Sequence, residues 1–507
     1  MNDRQSPAGD PRSSQARDPR SNRGTLQFIA RQAMIDHGLE PEFPPAALEQ
    51  ASTAEPARGD GAGVRDLRGL LWSSIDNDDS MDLDQIEVAE RLPDGAIKVL
   101  IGIADVDALV PRGSPVDRHA ETNTTSVYVA GRVYPMLPER LSTDLTSLGP
   151  DVDRLAVVSE LTVTPRGEVI GAAFYRALVR NRCKLAYRVV AAWLDGKAEM
   201  PPAMAKVPGV AEQVKLQDQA ADALRAVRRD QGALTLRTIQ GHAVFDGDAL
   251  RDLVPDDTDQ AKALIEDFMI AANGAVARFL EARGFATMRR VVKVPKNWER
   301  LVALAAEHGF TLPAQPHPRP LNVFLSEQQR TDPLRFPDLS LAVVKLIGSG
   351  EYDVDVPGQP PPGHFGLAVR DYTHSTAPNR RYPDIVTQRL LKAAIEGRPS
   401  PYAVDELRAL SAHCTAQEDE AAKVERQIGK SAAAMLLQGR TGQTFDAIVT
   451  GASEKGTWVR IAAPPVEGKV VRNDRGLKVG QQVRVRLARA DVARGFVDFA
   501  RVQGRHG

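Results

Sequence analysis

The chain has 507 residues, 42% of them hydrophobic and 26% charged, and a formal net charge of −1. That composition excludes a disordered or low-complexity chain and suits a globular protein of about two to four domains. No apolar run reaches the roughly 18–20 residues that cross a bilayer, and the amino terminus lacks the apolar stretch of a signal peptide, so a cytoplasmic location without membrane contact is expected.

Residues 1–23, rich in Arg, Ser, Asp and Pro, read as a tail that cannot bury enough apolar surface to order itself. In "TLQFIARQAMIDHGLE", Leu26, Ile29, Ala33 and Met34 recur at helical spacing and stop at Gly38; a second short apolar run, "PPAALEQA", follows. Residues 24–70 are therefore expected to form a small helical domain, helix-turn-helix-like, that either touches nucleic acid or caps the body. From Leu71 the runs "IKVLIGIADV", "TSVYVAGRVYP" and "AVVSELTVTPRGEVIGAAFYRALV" are β-branched and separated by Pro, Gly and Asp, which predicts a mixed sheet. Cys183 and Cys414, the two cysteines, lie too far apart for a C-x-x-C pair and argue against a disulfide framework or a zinc site. After Tyr187 come long helices, the clearest being "AKALIEDFMIAANGAVARFLEARG", with Leu264, Phe268, Ala272, Val276 and Phe279 on one stripe and Gly284 at its end.

The proline-rich stretch 313–362 is expected to be ordered against the body. A strand-like "HFGLAV" then leads through the turn "TAPN" into a helix with Ile385, Val386, Leu390 and Leu391 on its apolar face. Five short strands over residues 441–504 suit a small closed barrel of the OB type. The fold class is thus α+β and multidomain. From Thr441 onward the chain carries three Lys and nine Arg against six acidic residues, a local excess of +6 that points to a polyanionic partner or to a solvated basic face. Within the barrel Lys455, Trp458, Arg460 and Arg472 combine positive charge with a stacking ring, as single-stranded nucleic acid favours, unless Trp458 belongs to the core.

The most informative stretch is "SIDNDDSMDLDQIEVAE", which places Asp76, Asp78, Asp79, Asp82 and Asp84 within nine residues. Two carboxylates about 4 Å apart repel by roughly 4 kcal/mol at an effective dielectric near 20, so either water or a cation must compensate. Counted as an EF-hand from Asp76, the stretch has acids at positions 1, 3, 9 and 12, but Met81 occupies the position that needs glycine and the flanks read as strands. A plain solvated loop is opposed by the apolar shoulders "LLWSSI" and "VLIGIADV", which place the carboxylates at the mouth of a core. Converging oxygen donors there suit Mg²⁺, or Mn²⁺. A second motif, "YTHSTAPNRRYPDIVTQRLL", sets Arg380 and Arg381 at the start of a helix, where guanidinium forks can hold phosphate oxygens.

Together, "SIDNDDSMDLDQ", "IGIADVDALVPRGSPVDRHAETNTTSVYVAGRVYPMLPERLSTDLTSL" and "HFGLAVRDYTHSTAPNRRYPD" resemble the RNB catalytic domain of the ribonuclease II and ribonuclease R family over residues 71–435. The terminal barrel resembles the S1-type RNA-binding domain that follows it. The resemblance implies Mg²⁺-dependent 3′-to-5′ hydrolysis of single-stranded RNA with a free 3′ end to nucleoside 5′-monophosphates in RNA turnover; a monomer is the default expectation. It places metal ligands at Asp76, Asp82, Asp84 and Gln85, the last departing from the family's fourth aspartate, and catalytic roles at Asp82, Asp84 and Arg380. It assigns the terminal base to Tyr187 and the last nucleotide to Glu425. Arg180, Arg182 and Lys184, alternating along a strand, are expected to line an RNA path. The neutral Gln85 leaves open an alternative, an RNA-binding regulator with a decayed nuclease site. The cold-shock domains usual before the catalytic part are missing from these 507 residues, where some 70 residues stand instead.

Overall fold

The computed structural model describes residues 21–502, apart from residues 62, 238–240, 256–258, 361–362 and 454–455. Helix α1 (Asn22–Asp36) starts where the Ser21 hydroxyl accepts a hydrogen bond from the Gly24 N–H at 3.0 Å. Its stripe of Leu26, Ala30, Ala33 and Met34 is buried against Val424 and Ile428, far along the chain. Helix α2 (Pro45–Thr53) instead buries Ala47 and Ala51 in the large central core. The helix-turn-helix-like domain expected over 24–70 is therefore not a separate module. Two helices this short cannot close a core between themselves, and each completes a different core of the body. The expected boundary also moves: β1 (Arg65–Asp66) pairs in parallel with Ala177 and Leu178, inside the large seven-stranded sheet.

That sheet uses β2 (Ser73–Asp76), β3 (Gln85–Arg91) and β4 (Ile97–Ala104), then, after α3 (Pro115–Asn123) and the small ribbon β5 (Val127–Val129) and β6 (Arg132–Tyr134), β7 (Asp153–Val163), β8 (Val169–Arg180) and β9 (Cys183–Ala186). Its order is β1-β8-β7-β4-β3-β2-β9, antiparallel except for β1 with β8 and β2 with β9. The sheet is mixed, as the β-branched runs predicted. Gly102 in β4 lets the layers close, because a Cβ there would meet Ile86 at 3.2 Å and the Trp72 ring at 3.5 Å. Helices α4 (Tyr187–Leu194), α5 (Pro202–Ala205) and α6 (Val210–Gln231), the ribbon β10 (Gly241–Asp246) and β11 (Ala249–Pro255), and α7 (Gln260–Ala282) follow. Leu264, Phe268, Ala272 and Val276 of α7 are buried in the central core, and Phe279 packs on Phe174 with ring centroids 4.7 Å apart.

Strand β12 (Thr287–Val291), helices α8 (Trp298–Glu307), α9 (Pro318–Thr331) and α10 (Phe336–Ile347), and β13 (Glu351–Asp355) come next, the helices gathering Trp298, Phe324 and Phe336 into their own core. "HFGLAV" is not a strand. Phe365–Leu367 is a 3₁₀ turn capped by His364, whose Nδ1 accepts from the Leu367 N–H at 3.1 Å, and Ala368 adopts a left-handed conformation with φ 53°. Helices α11 (Tyr382–Ile395) and α12 (Val404–Leu437) lead to β14 (Thr444–Ser453), β15 (Gly456–Ile461), β16 (Glu467–Arg472), β17 (Gln482–Asp491) and β18 (Phe496–Arg501), which close a barrel in the order β14-β15-β16-β18-β17. The barrel core includes Leu253 of β11 and Ala433, Ala434 and Leu437 of α12.

Helix α11 is fixed by charge. Arg389 donates to Asp107 (2.7 Å), Asp117 (2.7 Å), the Val110 carbonyl (2.7 Å) and the Tyr402 hydroxyl (2.9 Å), while Lys392 donates to Asp105 (2.9 Å) and Asp107 (2.8 Å). Burial opposes ionisation of Asp107, yet Lys392 and Arg389 hold its carboxyl below the usual range. Its contribution to stability is therefore present above the ordinary carboxylate pKa and is lost as pH falls through the lowered value. Replacing Arg389 with methionine leaves buried Asp117 without its cation and Asp107 with Lys392 alone, and the expected loss is about 3–5 kcal/mol in a denaturant titration.

Candidate active site

Strand β2, between β3 and β9, carries Asp76 as its last residue, and its parallel register with Ala186 sets it beside Tyr187, the first residue of α4. The loop between β2 and β3 is tied down at several points. Asp76 Oδ1 accepts from the Asn77 N–H (2.7 Å) and the Ser80 hydroxyl (3.0 Å). The Leu83 N–H donates to Ser147 Oγ (3.1 Å), and the Leu148 N–H donates to the Leu83 carbonyl (2.9 Å). With Leu83 anchored in the core at 1% exposure, Asp82 and Asp84 on either side of it are fixed as well.

Asp84 is 2% exposed. Its Oδ1 accepts from the Asn379 N–H at 2.9 Å and its Oδ2 lies 3.6 Å from Arg380 Nε. Burial pushes its carboxyl up to about 7, against the pull of Arg380 and the Asn379 N–H, with Asp82 adding to the rise. Burial raises Asp82 too, and Asp76 and Asp79 add to it by repulsion. Asp84 and Arg380, 296 positions apart by residue number, thus meet through the "TAPN" turn. Asp384 staples that turn by accepting from the Ala377 N–H (2.8 Å) and from two nitrogens of Arg381 (2.8 Å each).

The two neighbouring arginines consequently differ. Arg381 is locked to Asp384, which occupies the fork expected to hold phosphate; the Arg380 side chain is 51% exposed and lies beside Asp84. Tyr187 is half-buried, with its hydroxyl driven upward by burial and by Asp76 and Glu87. Glu425 accepts from the Tyr128 N–H at 2.8 Å. Gln85, 6% exposed, opens β3 opposite Ile103.

The three residues of the expected cationic path all have partners within the protein. Arg180, Arg182 and Lys184 do alternate at half-buried positions, but each serves the protein: Arg180 pairs with Asp153 (2.6 Å), Arg182 donates to the Arg68 carbonyl (2.6 Å), and Lys184 donates to the carbonyls of Ser80 and Asp78, bracing the aspartate loop. In the barrel, Arg460 forms an ion pair with Asp338 of α10 at 2.7 Å, which takes it from the RNA-contact set and ties barrel to body. Trp458 is half-exposed with the Lys469 ammonium 5.7 Å from its ring centroid, so it is not core, and Arg472 is exposed. Lys455 lies outside the described residues.

One residue escaped the sequence reading. Tyr128, 45% exposed on β5, has its hydroxyl pushed up to about 12 by burial, with Arg380, Asp82, Asp84 and Asp76 all contributing to the field around it. The signal was the inward Val127 beside an outward aromatic on a short strand.

Among the described residues, no three His, Cys, Asp or Glu side chains are already drawn together as a metal cage. The donors still fit a hard divalent ion. Asp76, Asp82 and Asp84 share one electrostatic neighbourhood, burial disfavours the charged forms of Asp82 and Asp84, and Mg²⁺ commonly takes only one or two carboxylates and completes its shell with water and substrate phosphate.

Comparison with known proteins matches both parts of the chain. The RNB domain model matches residues 64–397, and the model of the RNase II-type exonuclease C-terminal S1 domain matches residues 443–502. Ribonuclease R of Thermotoga maritima is 30% identical over 511 residues, covering 93% of this chain and 70% of its own. Ribonuclease R 1 of Lactococcus lactis is 28% identical over 491 residues, covering 90% of this chain; the chain spans 59% of that relative. The structure of Mycoplasma genitalium RNase R in complex with ribose methylated single-stranded RNA shares the fold, with a TM-score of 0.85 at 23% identity, covering 94% of this chain and 78% of that one.

Proposed function

Since the chain belongs to the RNB family and carries an RNase II-type S1 domain behind its RNB domain, we propose that it is a 3′-to-5′ exoribonuclease. Its substrate in this reading is single-stranded RNA with a free 3′ end, its products are nucleoside 5′-monophosphates, and Mg²⁺ is the divalent ion. The observation that carries the reading is the meeting of Asp84 and Arg380 at 3.6 Å, which sets a cation-seeking carboxylate beside a half-exposed guanidinium.

In this arrangement Asp76, Asp82 and Asp84 would hold the ion, with the Gln85 amide oxygen as a neutral fourth donor. Bound there, the ion supplies an activated water and charge stabilisation at the scissile phosphate. Arg380 grips the phosphate's outer oxygens and meets the charge that grows on them. Asn379 keeps Asp84 aligned through its main-chain N–H. Tyr187 and Tyr128 offer rings to the terminal bases, and Trp458 with Lys469 offers a stacking and charged surface on the barrel.

Incubation with 3′-labelled single-stranded RNA and Mg²⁺ tests the proposal. Release of labelled mononucleotide that EDTA abolishes is expected, and no release under either condition removes the reading. Gln85 supports one alternative, an RNA-binding regulator without turnover. In that case RNA binds tightly and intact, and Gln85→Asp creates activity.

Cation binding should also depend on pH. A proton and the ion compete for Asp84, so below about pH 7 the affinity for Mn²⁺, followed by electron paramagnetic resonance, is expected to fall by up to about tenfold per pH unit. Above that pH it should level off.

A further inference from the structure

We propose that Glu87, Ser73 and Gln217 form a buried site for a monovalent alkali cation, set at the base of the aspartate loop and separate from the divalent centre. The site goes beyond the exonuclease reading and does not depend on it. Glu87 is the acid at position 12 when the aspartate stretch is counted as an EF-hand, and the candidate active site leaves it unused.

Strand β3 is buried over its first five residues, and Glu87 stands in the middle of them at 0% exposure. A carboxyl in such a place is costly unless it is partnered. Yet neither Glu87 Oε1 nor Oε2 has a hydrogen-bond partner among the described residues. Two neighbours share the defect. Ser73, fully buried, lies directly opposite Glu87 in the antiparallel pairing of β2 with β3, so their Cβ atoms are about 5 Å apart on one face of the sheet. Gln217 of α6, also fully buried, reaches the same residue, its Nε2 donating to the Glu87 carbonyl at 3.3 Å. Ser73 Oγ and Gln217 Oε1 are, like both carboxyl oxygens, buried without a partner. Four orphaned oxygens from three elements thus gather around one residue.

Their chemistry constrains what satisfies them. All four accept hydrogen bonds, and the Ser73 hydroxyl is the one group that also donates. Protonating the carboxyl, toward which burial and the repulsion of Asp76 push it, adds a single donor and leaves the other oxygens unmet. A positive ion meets carboxylate, hydroxyl and amide oxygens at once. One carboxylate balances one positive charge, so a monovalent ion leaves the core neutral. Mg²⁺ would leave a net charge there and would demand an octahedral shell that keeps several waters.

The position gives the site its consequence. The register of β2 with β3 consists of the Ser73–Glu87 pair, beyond which the two strands part into the loop that carries Asp76, Asp82 and Asp84. An ion held between these side chains is a clasp at the fork of that loop.

The experiment uses the full chain, free of divalent ions, in choline chloride at constant ionic strength, with KCl or NaCl replacing the choline. In at least one of the two salts the melting temperature is expected to rise by about 2–3 °C and to level off by about 100 mM. Glu87→Gln, which keeps the shape and removes the charge, should flatten that response. Gln217→Leu alters α6 rather than the sheet; it should at least halve the response, and it stands in if Glu87→Gln folds poorly. Crystals grown with Tl⁺, an anomalous scatterer that replaces K⁺, should show a peak between Glu87, Ser73 and Gln217.

Equal melting temperatures of the unaltered chain in all three salts, or a Tl⁺ map without that peak, overturn the site and leave the oxygens to buried water. A rise that survives undiminished in both variants places the ion elsewhere and overturns it too. RNA hydrolysis enters neither readout, so failure of the exonuclease reading would be seen separately, in the labelled-RNA assay.

Discussion

Replacing Asp84 with asparagine is expected to lower the rate of RNA hydrolysis by about 10³-fold or more while changing RNA affinity less than about twofold. The asymmetry follows from where the carboxyl sits. Asp84 is enclosed between the Asn379 N–H and Arg380, with no free surface from which to bind the polymer. Asparagine keeps the shape and the oxygen that accepts from Asn379, but not the charge that draws a divalent ion. Because burial already raises the native carboxyl to about 7, a neutral amide costs the fold little, and the melting temperature should not fall. Single-turnover cleavage together with filter binding on the same preparation checks both halves. Equal losses of affinity and rate would show that the residue supports the fold rather than the reaction.

Arg380→Lys is expected to reduce kcat about 100-fold, nearly as much as Arg380→Ala, with a smaller change in KM. Lysine restores the charge but not the planar fork, and the charge on phosphate oxygens rises only as the bond breaks. The adjacent Arg381→Lys should act differently. It loosens the staple to Asp384 at 2.8 Å and shows first as a lower melting temperature. Steady-state kinetics and thermal melts on the two lysine variants, side by side, make the distinction.

Much of the catalytic neighbourhood was legible because its chemistry is written in local runs. The aspartate stretch between apolar shoulders, and the paired arginines opening a helix, are contiguous in sequence, and the structure joins the two motifs through Asp84, Asn379 and Arg380. The barrel was legible from turn spacing. What sequence could not show was the partner of each charge. Arg180, Lys184 and Arg460 looked free because Asp153, the Ser80 carbonyl and Asp338 stand 27, 104 and 122 positions away by residue number. The same blindness made 24–70 look like an independent domain, since Val424 and Ile428, which cover α1, lie nearly 400 residues on. "HFGLAV" misled for a local reason: the His364 cap and glycines at 363 and 366 favour a tight turn over extension.

The barrel's interior is completed by side chains that precede it in the chain, Leu253 from a distant ribbon and Ala433, Ala434 and Leu437 from α12. Cut at the linker, either half would bare a greasy scar: the excised C-terminal piece would gape at one end, and the remaining trunk would display an unprotected leucine. Truncation is thus a blunt instrument for this chain, prone to yield aggregates, and calorimetry should find a single endotherm in which both halves melt together.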